Sequence, residues 1–185
     1  MAEHEQLVHL LATRSAQRGH FTLASGRQST LYIDARLTTM SPDGLALIGT
    51  LGLATIRQRW QADSVGGLTL GADPISYAIS YTSNNTEMPL RAFTVRKESK
   101  THGTGKLIEG PFQPGDHSVV IEDVITTGGS ALKAIAAVRA AGGIVAGVLA
   151  LVDREEGGRE AIEAHGIAVI SLVMASELLS LIPAS

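Results

Sequence analysis

Residues 119–135 read VVIEDVITTGGSALKAI, and no other segment narrows the fold as much. An apolar run leads to two adjacent carboxylates, Glu122 and Asp123. The loop Thr126–Ser130 follows, and then an alanine-rich stretch of helical character. A buried strand ending in the two acids, a glycine loop and a helix start is the expected local structure. Glycines let the backbone approach a ligand, and the first amides of the helix face it with the positive end of the dipole behind them. Thr126, Thr127 and Ser130 add hydroxyl donors, so the loop reads as a cradle for one phosphate. Carboxylates repel phosphate but accept hydrogen bonds from sugar hydroxyls. Acids for a ribose beside amides for its 5-phosphate are what a phosphoribosyl group requires. The chain has no G-x4-G-K-[ST] and no G-x-G-x-x-G after a strand, which excludes the triphosphate and dinucleotide loops.

The rest of the chain supplies matching elements. Leu7, Leu10 and Leu11 have helical spacing within Glu3–Arg18, and LYID (Leu31–Asp34) reads as a strand. Ser41-Pro42-Asp43 is a helix start, with Ser41 as cap and Pro42 in the first turn. That helix runs to about Trp60 despite Gly44, Gly49 and Gly52, which predicts close packing against a neighbour. Short strands are expected at 64–70, 90–95, 118–121, 144–152 and 167–173, separated by helices at about 74–81, 131–141 and 159–165. IVAGVLALV (Ile144–Val152) is too apolar to be half-exposed. Alternating strands and helices with near-continuous apolar strands predict an α/β fold, a mostly parallel central sheet with helices on both faces.

Composition then removes function classes. There are 185 residues, enough for one sizeable core, and 44% are hydrophobic against 18% charged, which argues against disorder. The longest apolar run is about half a membrane span. The start, MAEHEQ, lacks a basic signal region, so Asn84-Asn85-Thr86 reads as a turn rather than a glycosylation site. Absence of cysteine excludes disulfides and thiol chemistry. A net charge of −3 argues against nucleic acid as partner. The histidines show no paired spacing for a protein-built metal site. A cytoplasmic single domain, residues 1–185, is expected. Against this acidic background three of the four lysines, Lys97, Lys100 and Lys106, cluster beside Arg96 and His102, which points to a small anionic ligand.

The order hydrophobic residues, E-D, two hydrophobics, T-T-G-G-S resembles the phosphoribosyl-pyrophosphate (PRPP) motif of type I phosphoribosyltransferases. FTLASGRQSTLYID (Phe21–Asp34), GGLTLGADPI (Gly66–Ile75), VRKESKTHGTGKLIEG (Val95–Gly110) and DREEGGRE (Asp153–Glu160) are similar, in order, to blocks of the orotate phosphoribosyltransferase family. The resemblance implies the type I fold with a small N-terminal hood, contributed mainly by about residues 1–40, and a mobile catalytic loop. It implies transfer of phosphoribosyl from PRPP to orotate, giving orotidine 5'-monophosphate in pyrimidine biosynthesis, with Mg2+ held mainly by PRPP and water. It further implies a homodimer whose loop closes over the neighbour's site.

Residue roles follow from that resemblance. Glu122 and Asp123 hold the ribose hydroxyls; Val124, Ile125, Thr126, Thr127, Gly128, Gly129 and Ser130 complete the PRPP loop, with Thr126 also near orotate. Arg96, Lys97, Lys100 and His102 belong to the catalytic loop, with Gly103 and Gly105 as hinges. Their charge favours departure of pyrophosphate. Arg154 pairs with the orotate carboxylate, a match of planar guanidinium to planar carboxylate. Ser25, Gly26 and Arg27 lie in the hood block. Two positions depart from many relatives: Ala24 and Gly71 stand where those have lysine. Asp73, beside Gly71, is expected to cap the next helix. A PRPP-sensing regulator would add a DNA-binding module, and a purine-type enzyme would share the PRPP loop but not the Arg96–His102 block.

Overall fold

The computed structural model describes residues 2–22, 28–98 and 106–183. The main sheet has six strands: β3 (Ser64–Leu68), β4 (Arg91–Val95), β5 (Ile108–Glu109), β6 (His117–Ile125), β7 (Ile144–Asp153) and β8 (Val169–Met174). Their spatial order is β5-β4-β3-β6-β7-β8. All neighbours are parallel except the edge pair β4–β5.

Both faces are covered, as the apolar strands predict. Val119 and Ile121 of β6 and Leu149 and Leu151 of β7 join one core, with Ile48, Ile56, Ile75 and Ile79 from α3 (Pro42–Arg59) and α4 (Ala72–Ser83). Val120, Val148 and Ala150 join the other, with α5 (Gly129–Ala140) and α6 (Gly158–Glu163). Successive strand residues alternate between the two cores, the period-two pattern of a pleated sheet. Ser41 caps α3, its Oγ accepting from the Gly44 amide at 3.2 Å. A Cβ on Gly49 would lie 2.4 Å from Thr82 Oγ1, and one on Gly52 would lie 2.7 Å from Ile79 Cδ1. Two of the three glycines that weaken α3 therefore lie where α4 packs closely against it.

The N-terminal helix departs from expectation. It ends at Leu10 as α1 (Ala2–Leu10), passes through a wide helical turn at Leu11–Ser15, and becomes strand β1 (Ala16–Thr22). That strand pairs antiparallel with β2 (Gln28–Ile33), Ala16 opposite Ile33. Ser15 contributes too: its carbonyl accepts from the Asp34 amide at 2.8 Å, and its hydroxyl meets that of Thr38 at 2.7 Å. The cross-strand partners lie on a separate segment, as far apart as Ala16 and Ile33, so helical periodicity alone did not reveal them. After β2 a single helical turn, α2 (Arg36–Thr39), leads into α3, and a helix α7 (Ala175–Leu181) follows β8.

Chain order fixes where a ligand fits. From β3 the chain steps outward to β4, then returns to the other side of β3 as β6. Open parallel sheets bind ligands outside the carboxyl ends of the strands flanking such a reversal. Here those ends are Leu68 and Ile125. Among the described residues, no helix is long and apolar enough to cross a membrane.

Candidate active site

A cleft of about 300 Å³ opens where the topology places it. Glu122, Asp123 and Ser130 line it from β6 and the start of α5, Leu68 to Gly71 from the turn after β3, Lys97 from the end of β4, and Tyr32 to Arg36 from the hood. The acids thus share one space with the start of α5. The strand does not end at the acids as expected. It continues to Ile125, because Val124 and Ile125 still pair with Val152 and Asp153 of β7.

The two acids differ in state. Glu122 is 8% exposed, and its Oε2 has no hydrogen-bond partner among the described residues. Burial, then the charge of Asp123 and a hydrogen bond to it, push the Glu122 carboxyl up to about 8. It is therefore mostly protonated at neutral pH, one acid of the pair able to donate while the other accepts. Asp123 is half-buried, and its Oδ1 accepts from the Val124 amide at 2.9 Å. A Cβ on Gly71 would lie 2.2 Å from Asp123 Oδ2, so the turn after β3 rests its bare backbone on that carboxylate.

The phosphate loop forms as predicted. Gly128 adopts φ +78°, a left-handed conformation that glycine reaches without strain, and α5 begins at Gly129. The first main-chain bond of the helix runs from the Leu132 amide to the Gly128 carbonyl at 3.0 Å. Amides ahead of it lack intrahelical partners, which leaves them to a ligand. Thr127, Gly129 and Ser130 are exposed, and Thr126 is half-buried. Val124 and Ile125 behave differently: Ile125 is 1% exposed in the core, and Val124 packs against the opposite core. Their side chains hold the strand, which leaves only backbone to face a ligand.

The loop cations separate. Lys97 lines the cleft. Arg96 turns the other way, its Nη1 3.4 Å from Glu109 Oε1, while its amide donates to the Leu107 carbonyl at 2.8 Å. Adjacent residues of an extended chain project to opposite sides, and of the two only Lys97 lines this cleft, although both border a neighbouring groove. Lys100 and His102, like Gly103, Gly105, Ala24, Ser25, Gly26 and Arg27, lie outside the described residues.

Arg154 is 7% exposed at the end of β7 and does not line the cleft. Its Nη2 donates to Ser29 Oγ at 2.7 Å and to the Leu31 carbonyl at 2.8 Å, and lies 2.8 Å from Glu156 Oε1. Its Nε is buried without a partner among the described residues. The neighbouring Asp153 Oδ2 accepts from Arg159 Nε at 2.7 Å, and Oδ1 accepts from the Glu155 amide at 2.8 Å, which fixes the turn that carries Arg154.

Two assignments change. Asp73 does not cap α4; it accepts from Thr69 Oγ1 at 2.6 Å and from Thr94 Oγ1 at 2.8 Å, tying the turn after β3 to strand β4. Asp34 and Arg36, which sequence reasoning did not single out as site residues, line the cleft as an ion pair. Their spacing of two, directly after the strand-like LYI, was the available signal. Among the described residues, no cluster of three or more metal-capable side chains occurs. Carboxyl oxygens are the ligand type a hard cation takes, and the cleft offers those of Asp34, Glu122 and Asp123.

No family model matches the chain. It is 48% identical over 182 residues to orotate phosphoribosyltransferase of Aquifex aeolicus, covering 97% of this chain and 99% of that protein. Orotate phosphoribosyltransferase of Mycobacterium tuberculosis, solved in complex with PRPP, is 40% identical with a TM-score of 0.80, covering 95% of this chain and 98% of that one. Adenine phosphoribosyltransferase of Leishmania donovani shares the fold alone, at 18% identity and a TM-score of 0.68 over 96% of this chain and 81% of that one. At this identity over 97% of its length, the chain belongs to the orotate phosphoribosyltransferase family.

Proposed function

We propose that this chain transfers the 5-phosphoribosyl group of PRPP to orotate, giving orotidine 5'-monophosphate and pyrophosphate in pyrimidine biosynthesis. The observation that carries the reading is the cleft itself, with paired acids, an amide-rich helix start and a lysine around one space. Glu122 and Asp123 take the ribose hydroxyls, and the amides and hydroxyls of Thr126–Ser130 take the 5-phosphate. In the displacement, the bond from ribose C1 to the diphosphate oxygen breaks, one from C1 to a ring nitrogen of orotate forms, and the proton of that nitrogen passes to the departing diphosphate or to solvent. Positive charge develops on the sugar and negative charge on the leaving diphosphate. Lys97, with Lys100 and His102, stabilises the latter.

Arg154 meets the orotate carboxylate. Its unpartnered buried Nε supports this, since such a donor lacks an acceptor until one arrives. Mg2+ accompanies PRPP, bound by phosphate and ribose oxygens and water, and masks the charge of the diphosphate when present. A cytoplasmic homodimer is part of the reading. Tyr77 and Tyr81 on α4 are 52% and 84% exposed, and Leu37 and Met40 ahead of α3 are 55% and 49% exposed. Exposed apolar groups on this scale mark interaction surfaces. In this reading Arg96 and the loop that follows it serve the neighbour's site.

The test is the ultraviolet absorbance of orotate on mixing with the protein, PRPP and Mg2+. Loss of the orotate band, dependent on PRPP, is expected. Folded protein that leaves it unchanged, while consuming a purine base with PRPP, would replace this reading with the purine one.

A further inference from the structure

We propose that Arg36 binds the diphosphate of PRPP and of the pyrophosphate product, with Asp34 as its positioning residue. The inference rests on the reading that the cleft takes PRPP.

The geometry is that of a held cation. Arg36 Nε donates to Asp34 Oδ1 at 2.8 Å, and Nη2 donates to Oδ2 at 3.0 Å, a two-pronged pair. The Arg36 amide also donates to Oδ1 at 3.2 Å, so the carboxylate is itself fixed to the backbone. Nη1 has no hydrogen-bond partner among the described residues. A guanidinium pinned by a planar fork has little conformational freedom left to lose when it meets a second anion.

Charge balance shows what it is for. Among the described residues that line the cleft, Arg36 and Lys97 are the cations, beside Asp34, Asp123 and the protonated Glu122. The turn after β3 brings no cation of its own: Gly71 has no side chain, and the Thr69 hydroxyl is committed to Asp73. A diphosphate lying on that turn is met by main chain there and needs its positive partners from the sides. Lys97 provides one from β4, and Arg36 provides the other from the hood.

Its position selects the diphosphate over the other parts of the substrates. The 5-phosphate has the start of α5. The orotate carboxylate has Arg154, which is buried behind β2 and outside the lining. Arg36 lies where the charge of Asp123 reaches it; this adds to the larger effect of Asp34, and both raise its pKa. Asp123 in turn touches Gly71. Arg36, Asp123 and the turn therefore share one end of the cleft.

The test is calorimetric binding of PRPP, inorganic pyrophosphate and orotidine 5'-monophosphate, each with Mg2+, to wild type and to the variants Arg36→Ala, Arg36→Lys and Asp34→Asn. Arg36→Ala should weaken PRPP and pyrophosphate by about 10- to 100-fold, the range of one charge-assisted hydrogen bond. The monophosphate, which has no diphosphate, should stay within about twofold on the same argument. Arg36→Lys should recover part of the loss. Asp34→Asn should give a smaller loss that disappears when Arg36 is already alanine, since it acts through Arg36. Equal losses for all three ligands, or no loss for PRPP and pyrophosphate, would overturn the assignment. Wild type that binds PRPP and consumes orotate in the same experiments keeps the functional reading standing under either result. Wild type that does neither overturns both.

Discussion

Arg154 Nη2 donates to Ser29 Oγ at 2.7 Å, joining the end of β7 to the hood across 125 positions of sequence. The same guanidinium group is thus a fastener for β2 and the proposed partner of orotate. Arg154→Ala should raise the apparent KM for orotate much more than that for PRPP. It should also lower the melting temperature, because removing a buried hydrogen-bonding partner costs about 1–3 kcal/mol. Ser29→Ala should show the stability effect with little change in KM. Equal KM effects of Arg154→Ala on both substrates would make the residue purely structural.

The raised carboxyl of Glu122 gives a pH signature. A carboxyl shifted from 4.5 to about 8 on folding binds a proton in the native state that the unfolded chain has already released. Its favourable contribution is complete below pH 4.5 and is lost as pH rises through about 8. Glu122→Gln, which cannot titrate, should therefore gain in melting temperature relative to wild type between about pH 5 and pH 8.5. A difference that stays constant across that window would show that Glu122 is not the protonated member of the pair.

Contact between Gly71 and Asp123 predicts a site effect without a fold effect. Gly71→Ala places a methyl where Asp123 Oδ2 now lies, 2.2 Å away, so the carboxylate must leave its present rotamer. The neighbour that yields is a side-chain end, which keeps the stability cost small. PRPP binding should weaken while the melting temperature stays near wild type. Unchanged PRPP affinity would mean that the position of Asp123 does not matter for the sugar.

Asp73 should behave as a brace. Asp73→Ala strands the Thr69 hydroxyl and leaves that of Thr94 only Tyr77, and a loss of about 1–3 kcal/mol in stability is expected from chemical unfolding. Asp73→Asn keeps one oxygen acceptor and should lose less. Both should reduce turnover at fixed PRPP, since the turn they loosen lines the cleft. Full activity in Asp73→Ala would separate the brace from catalysis.

Shared sites are checked by complementation. Lys100→Ala and Asp123→Asn homodimers should each be nearly inactive. If the Lys100 segment serves the neighbour, subunit exchange between them should restore activity to about a quarter of wild type, for a two-fold dimer at equal mixing. No recovery despite demonstrated exchange would place loop and acids in one subunit.

Local features of the chain determined the strand–loop–helix at 117–140, the cap at Ser41, the two-faced parallel sheet and the chemistry of Glu122, Asp123 and the TTGGS loop. These follow from residue type, periodicity and turn chemistry within a few positions, and such signals act over the same range as the structures they specify. Tertiary contacts decided the rest. The early end of α1 depends on β2 pairing with residues 16–22. Asp73 became a brace because Thr69 and Thr94 converge on it from two elements, and Lys97 and Arg96 parted because the cleft lies on one side of their chain. The protonation of Glu122 and the facing of Arg36 into the cleft belong to the same class. Each depends on groups brought together from distant parts of the chain, and burial and charge at such a point exist only once the sheet and the hood have closed around it.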